Sequence, residues 1–330
     1  MMADILSLAI SLLKGVSPQQ RRTLGLYLTT VEQFGRMRLQ DIEQLIKRPL
    51  RYRNPSPAEL LRQGEKIARD VCRSGARIIS YWSEEYPPLL RHNLYDPPYI
   101  LYVRGTLPRQ DVPSVALVGT RTPSASGRKA AFSLAAELGL AGIPVVSGLA
   151  AGIDTAAHWG ALKTQQQTAA VMGNGIDSVY PHENRELAAR ILRNDGALLS
   201  EYPPFTPAHK YCFPKRNRII SGMARALVVV QAPEKSGALI TADHALDQNK
   251  DVYVHSAGTY GTVGAGGLRL SREGAKLLVN AATLLDSWNI KTESRIESVD
   301  QGDLSPERRL QEELDGRLLR FDGLWYRRVG

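Results

Sequence analysis

The sequence predicts an α/β protein built on an extended, Rossmann-like, doubly wound parallel sheet, with a small helical module before it and a short helix and hairpin after it. Three observations carry this. From about residue 110 to 290 short continuous apolar runs alternate with helical stretches, the crossover pattern that parallel neighbours need. The 330 residues, 43% hydrophobic and 23% charged, suit roughly two domains at about 150 residues each. Turn-forming residues at Asn54-Pro55-Ser56-Pro57 and a polar stretch over 291–304 set off the two ends.

Taken in order, residues 1–75 read as short helices over 5–13, 18–29, 39–46 and 57–72. The last carries Leu60, Leu61, Ile67, Ala68 and Val71 at close to helical spacing, and Pro57 suits its first turn. Residues 76–290 hold the sheet, with strands over 115–119, 144–147, 168–172, 197–200, 227–231 and 252–255. Helices are expected over 126–139, 154–162, 184–193 and 238–249, and runs over 77–81 and 99–103 add strands at the sheet's edge. Residues 291–304 read as a linker. Residues 305–330 then give a helix over 306–314 and a hairpin around Asp322-Gly323, the pair favoured in a type I′ turn; helix and hairpin resemble the end of a truncated winged helix.

Composition excludes several function classes. Cys72 and Cys212 are the only cysteines and lie far apart, so neither a disulfide scaffold nor a C-x-x-C site is available. The apolar stretch over 5–13 is broken by Ser7 and Ser11, is too short to span a bilayer, and lacks the flanks of a signal peptide. The expected setting is the reducing cytoplasm, away from membranes. No G-x-S-x-G elbow, H-E-x-x-H spacing or close acidic cluster occurs, so neither catalytic residues nor a metal site are predicted. The G-x-G-x-x-G and G-x-x-x-x-G-K-[ST] signatures are absent too, and no cofactor is expected. Net charge is +9, distributed as +6 over 1–75, +4 over 76–290 and −1 over 291–330. That balance favours a polyanion partner through counterion release, although many basic proteins bind nothing anionic.

In open α/β sheets, ligands bind outside the carboxyl ends of the strands, so the strand-to-helix loops hold the candidates. In the first, Gly119 permits a tight turn, Thr120 follows it, Arg121 offers a phosphate fork, and Ser124 or Ser126 can cap the next helix. A structural turn with a solvated arginine would read the same way. The second loop supplies Ser147, Gly148 and Gly152, then Asp154 as a helix cap, with His158 one turn further on the helix surface. A third, Gly173 to Asn184, is weaker alone. Ser236 and Gly237 open another helix and suit either phosphate contact or a simple turn. The densest cluster is His209, Lys210, Tyr211, Phe213, Lys215, Arg216, Asn217 and Arg218. Cations beside aromatics are what single-stranded nucleic acid requires. Alternatively, Tyr211 and Phe213 anchor a core while Arg216 and Arg218 form internal ion pairs.

Together these residues resemble the DprA/Smf family, the DNA-processing protein A family. The resemblance rests on Tyr86-Pro87-Pro88-Leu89-Leu90, Val118-Gly119-Thr120-Arg121, Ser147-Gly148-Leu149-Ala150-Ala151-Gly152-Ile153-Asp154, Tyr180-Pro181, Phe213-Pro214-Lys215-Arg216-Asn217-Arg218 and Ser236-Gly237-Ala238-Leu239-Ile240-Thr241, in that order. It implies an extended Rossmann core that binds single-stranded DNA, protects it and loads the recombinase RecA in DNA processing and natural transformation. It also implies a homodimer formed through the Rossmann domain, an N-terminal sterile-alpha-motif-like module and no enzymatic activity. By position it assigns Arg121, Lys210, Arg216 and Arg218 to phosphate, Phe213 to base stacking, and the Ser147–Asp154 backbone to phosphate positioning. The chain departs from the family pattern at Leu268, where asparagine is usual, and at His182, often a lysine. Two other readings compete. One is a phosphoribohydrolase-like nucleotide enzyme, whose Pro-Gly-Gly-x-Gly-Thr loop the chain lacks at 236–241. The other is a divergent nucleotide-sensing or defence module.

Overall fold

The computed structural model describes residues 2–290, 295–299 and 305–329. The chain opens with α1 (Met2–Ser11), α2 (Pro18–Tyr27), α3 (Val31–Arg36), α4 (Leu39–Ile46) and α5 (Pro57–Arg73). Local chemistry starts these helices. The hydroxyls of Ser17 and Ser56 accept the N–H groups of Gln20 and Glu59 at 3.2 and 3.3 Å, with Pro18 and Pro57 next in line, where a missing N–H costs nothing. α5 buries Pro57, Leu60, Gly64 and Val71 along one stripe, and at Gly64 it comes so close to α1 that a Cβ would sit 3.0 Å from the Ile5 carbonyl oxygen. α3 is an addition to the expected helices. At six residues it is too short to display a period.

The core continues with β1 (Arg77–Ser80), α6 (Pro88–Asn93), β2 (Ile100–Gly105), β3 (Val115–Gly119), α7 (Ala125–Leu140), β4 (Val145–Ser147), α8 (Ile153–Lys163), β5 (Thr168–Met172), α9 (Arg185–Arg193) and β6 (Ala197–Ser200). After these come α10 (Cys212–Gly222), β7 (Ala226–Gln231), α11 (Gly237–Asp247), β8 (Asp251–His255), α12 (Gly261–Arg272), β9 (Lys276–Leu278) and α13 (Ala281–Asp286). One sheet holds all nine strands in the order β1-β2-β6-β5-β4-β3-β7-β8-β9. Strands β3 to β9 are parallel, and β1 and β2 join antiparallel at the β6 edge. This is the doubly wound α/β architecture the sequence predicts.

Alternation along each strand feeds two helical layers. Ala116 and Val118 of β3 and Leu227 and Val229 of β7 pack with Ile219, Ile220, Leu239 and Ala242 from α10 and α11. Val115, Leu117, Val228 and Val230 face the other way, onto Phe132, Ala135, Ala156 and Ala157 of α7 and α8. The N-terminal helices cover Ile100, Tyr102 and Leu198 at the β2–β6 end of that second face. Winding starts at β3, runs outward through β4, β5 and β6, and resumes at β7 on the other side of β3. The carboxyl ends of β3 and β7 therefore flank the topological switch point, where such sheets hold ligands.

Residues 295–299 fall in the expected linker yet form a strand, β10 (Arg295–Val299), and the remainder of that linker lies outside the described residues. With α14 (Pro306–Leu314), β11 (Leu318–Phe321) and β12 (Leu324–Val329) it builds a small antiparallel sheet ordered β10-β12-β11. Asp322 and Gly323 have φ of +51° and +77°, as a type I′ turn requires. This unit is docked on the core. Phe321 stacks on Phe132 of α7 with centroids 4.4 Å apart and planes 5° from parallel, Tyr326 lies 4.7 Å from the same ring, and Arg128 pairs with Asp322 at 3.3 Å.

Candidate nucleic-acid interface

A cleft of about 630 Å³ opens at the switch point. Its walls come from the loops after β3, β4 and β7, from the 208–213 segment and from α10. They bring together ten of the residues singled out in the sequence: Gly119, Thr120, Arg121, Asp154, Lys210, Phe213, Arg216, Asn217, Ser236 and Gly237. Helix N-termini converge there. Ser124 caps α7, accepting the Gly127 N–H at 3.1 Å, and Ser236 caps α11, accepting the Ala238 N–H at 3.2 Å. Gln231, the last residue of β7, fixes the first of these turns. Its Oε1 accepts the Ser124 N–H at 2.8 Å, and its backbone oxygen accepts the Thr120 N–H at 2.7 Å across a register shift between β3 and β7. Gly152 begins α8 at a φ of +85°, and a Cβ there would meet the Thr120 oxygen at 2.4 Å, so only glycine brings these two loops so close.

Charge in the cleft is one-sided. Among the described residues Arg121, Lys210 and Lys235 are exposed and carry no ion pair, and Asp154 is the only carboxylate of the lining. Asp154 is buried, and its Oδ2 accepts the Gly148 and Ala150 N–H groups at 3.1 and 3.4 Å. Burial pushes its pKa up to about 6, against the pull of the neighbouring Arg216. The aromatic element is Phe213, half-buried, with the Arg121 guanidinium carbon 5.4 Å above its ring centre and Tyr180 5.6 Å from it, tilted by 39°. Exposed cations around an aromatic face at three helix N-termini suit a phosphate-linked chain bearing flat bases.

Several expected contacts lie elsewhere. Arg218 is assigned to phosphate by sequence, but it is buried and donates to Glu201 Oε1 at 2.6 Å. Lys215 lies 3.6 Å from the other oxygen of the same carboxylate. Arg216 lines the cleft floor, yet it too is buried. Nη1 donates to the Gly148 carbonyl at 2.7 Å and to that of Val171, and Nε donates to Asn217 Oδ1 at 3.2 Å. Burial lowers its pKa to about 10. Arg216 builds the floor, and Asn217 extends it by donating to the Gly237 carbonyl at 3.0 Å. The alternative reading expects internal ion pairs for Arg216 and Arg218; Arg218 makes one with Glu201, whereas Arg216 is held by backbone carbonyls and Asn217. Ser147 is fully buried, its hydroxyl donating to the Leu117 carbonyl at 2.6 Å. Asp154 ties its own loop instead of capping α8, where Gly152 is the N-cap. His158 is buried rather than superficial, its Nδ1 2.7 Å from Thr168 Oγ1. Tyr211 is exposed, not a core anchor.

Among the lining residues absent from the sequence-based set are Tyr180 and Lys235. Tyr180 stands in a Tyr-Pro pair already singled out, but only its place beside Phe213 marks it. Lys235 precedes the N-cap Ser236, a position that by itself puts a cation at a helix start.

The sequence profile of the DNA recombination-mediator protein A family matches residues 77–289, a span that includes every residue of the cleft. The chain belongs to this family. It is 37% identical over 213 residues to the DNA processing protein DprA of Bacillus subtilis, covering 64% of this chain and 71% of that one. With Streptococcus pneumoniae DprA it shares 40% over 192 residues, 58% of this chain and 67% of the other. The X-ray structure of the pneumococcal protein superposes with a TM-score of 0.67 and 31% identity, covering 89% of this chain and 99% of that one. A Helicobacter pylori DprA structure, described for its unique single-stranded DNA binding mode, superposes with a TM-score of 0.56 and 27% identity over 65% of this chain and 95% of its own. A DprA/Smf protein processes DNA, and the fold and motifs of this chain are of that kind. Among the described residues no helix is long and apolar enough to cross a membrane.

Proposed function

We propose that this chain binds single-stranded DNA in the switch-point cleft, protects it and loads RecA onto it, acting in the cytoplasm as a non-catalytic homodimer. The observation that carries the reading is the Arg121–Phe213 pair at a cleft whose exposed charges are all positive. Arg121 covers the ring face that a base would use. A strand entering the cleft would take that face and meet the displaced guanidinium with its phosphate, so one movement creates both contacts. Stacking on an aromatic contributes about 1–3 kcal/mol per base, and the helix N-termini around it favour phosphate. The neighbouring side chains are held by internal bonds, so the site is preorganised and selects flexible strands by shape and charge.

The experiment is RecA filament assembly on a strand already covered by single-strand-binding protein, with and without the chain. The reading expects assembly to accelerate with the wild type and to lose that acceleration with Arg121→Ala. Equal assembly with and without the chain contradicts the loading role. Release of a base from nucleoside monophosphates would instead favour the phosphoribohydrolase-like alternative.

A further inference from the structure

The segment that walls the cleft has a second side. Ala208, Lys210 and Phe213 face the cleft, while the intervening His209 and Tyr211 do not line it. These two rings stack on each other in solvent, with centroids 5.3 Å apart and planes 9° from parallel, and Tyr211 is 70% exposed. The same loop presents Phe205, 74% exposed and held at a φ of +65°. That conformation costs free energy in a non-glycine residue and persists where neighbours impose it. Here the Phe205 N–H donates to Asp177 Oδ1 at 2.8 Å, and the Thr206 carbonyl accepts the Gly175 N–H at 2.8 Å. The loop is thus built to hold large rings out in water, beside a lysine with no ion pair among the described residues, at the rim of a site for a charged chain.

We propose that the His209–Tyr211 stack is a second base platform, which takes a nucleotide of the strand after it leaves the cleft across the Lys210 ridge. The inference rests on the reading that the cleft holds single-stranded DNA. The occupant follows from continuity and charge. Lys210 serves the cleft from between the two rings, so a strand whose phosphate it contacts lies within reach of the stack. A flat ring pair with an open face suits a base, and every base has such a face.

The test is affinity for oligothymidylates of roughly 4 and roughly 16 nucleotides, spanning site sizes common among single-strand binders. Tyr211→Ala should weaken the long oligonucleotide by on the order of five- to a hundredfold, and the short one little. Tyr211→Phe should retain wild-type affinity, because stacking needs the ring and not the hydroxyl. Tyr211→Trp should add a tryptophan emission quenched by the long oligonucleotide alone. Tyr211 makes no side-chain cap bond to α10, so these variants leave the helix start intact. If Tyr211→Ala binds the long strand as tightly as wild type, the platform is refuted, and a loss confined to RecA loading would make the stack a protein contact instead. Failure of the underlying reading would look different, because Phe213→Ala would then bind both lengths normally.

Discussion

Arg216 reaches from the second turn of α10 to the carbonyl of Gly148 in the β4–α8 loop, 2.7 Å away, with its guanidinium against the Gly148 backbone. A Cβ on Gly148 would meet that guanidinium at 2.7 Å. The two residues fix one another. The arginine satisfies carbonyls at the sheet's upper edge, and its charge partly offsets the burial of Asp154.

It follows that Arg216→Met destabilises the protein by about 3 kcal/mol or more, since it orphans buried carbonyls and leaves the buried Asp154 without its cation. Arg216→Lys should recover little, because one ammonium does not reproduce the planar fork. Gly148→Ala should resemble Arg216→Met in urea unfolding, through displacement of the same guanidinium. An unchanged midpoint in all three would remove Arg216 from the framework.

Lys210 and Arg218 separate binding from folding. Lys210→Ala and Lys235→Ala should each reduce the slope of log affinity against log salt by about 0.7, with unfolding unchanged. Arg218→Ala should leave that slope alone and lower stability on the order of 3 kcal/mol, because Glu201 loses its bond of 2.6 Å. A salt series and a urea titration on the same preparations read both quantities.

Stability should fall on acidification. Burial holds His158 at a pKa of about 3 and His255 at about 4, both well below 6.5. A depressed histidine contributes stability that is full above 6.5 and lost as pH falls through the folded value. Asp154, raised from 3.8 to about 6, works with opposite sign, and its contribution is lost as pH rises through 6. Between about pH 4 and 6 the unfolded chain therefore binds two extra protons on the histidines and the folded chain one on Asp154. The net slope is about 1.4 kcal/mol lost per pH unit of acidification. His255→Asn, which can still accept the Ala257 N–H, should flatten it. Urea midpoints between about pH 6.5 and 4 measure the difference.

The Phe321 ring holds the C-terminal sheet against α7. Phe321→Ala should remove about 1–3 kcal/mol of docking. Hydrogen exchange should then quicken across β11 and β12 while β3 and β7 stay protected. Uniform loss of protection would instead mean that the small sheet and the core unfold as one unit.

Strands such as 168–172 and 197–200 were legible because parallel central strands are apolar on both faces, and the Asp322-Gly323 turn because its chemistry is local. α10 was not. Its buried positions include Arg216, Asn217 and Arg218, so no hydrophobic period announces a helix, and the cations read as a surface patch. Pro214 adds to the disguise, although in the first turn its missing N–H is harmless. α12 carries Gly261, Gly264, Gly266 and Gly267, which hide its pattern. In the cleft, Gly119, Arg121, Lys210, Phe213 and Ser236 were recognisable by residue type. Whether an arginine faces solvent or a carboxylate such as Glu201 is a tertiary fact, which spacing does not encode.

The most direct measurement is fluorescence anisotropy of a labelled oligonucleotide, single- and double-stranded, across a salt series, with wild type and Arg121→Ala side by side. The account predicts strong preference for the single strand, affinity falling steeply with salt, and a slope shallower by about 0.7 in the variant. Equal affinity for both forms, or an Arg121→Ala curve that overlies the wild type, would contradict it.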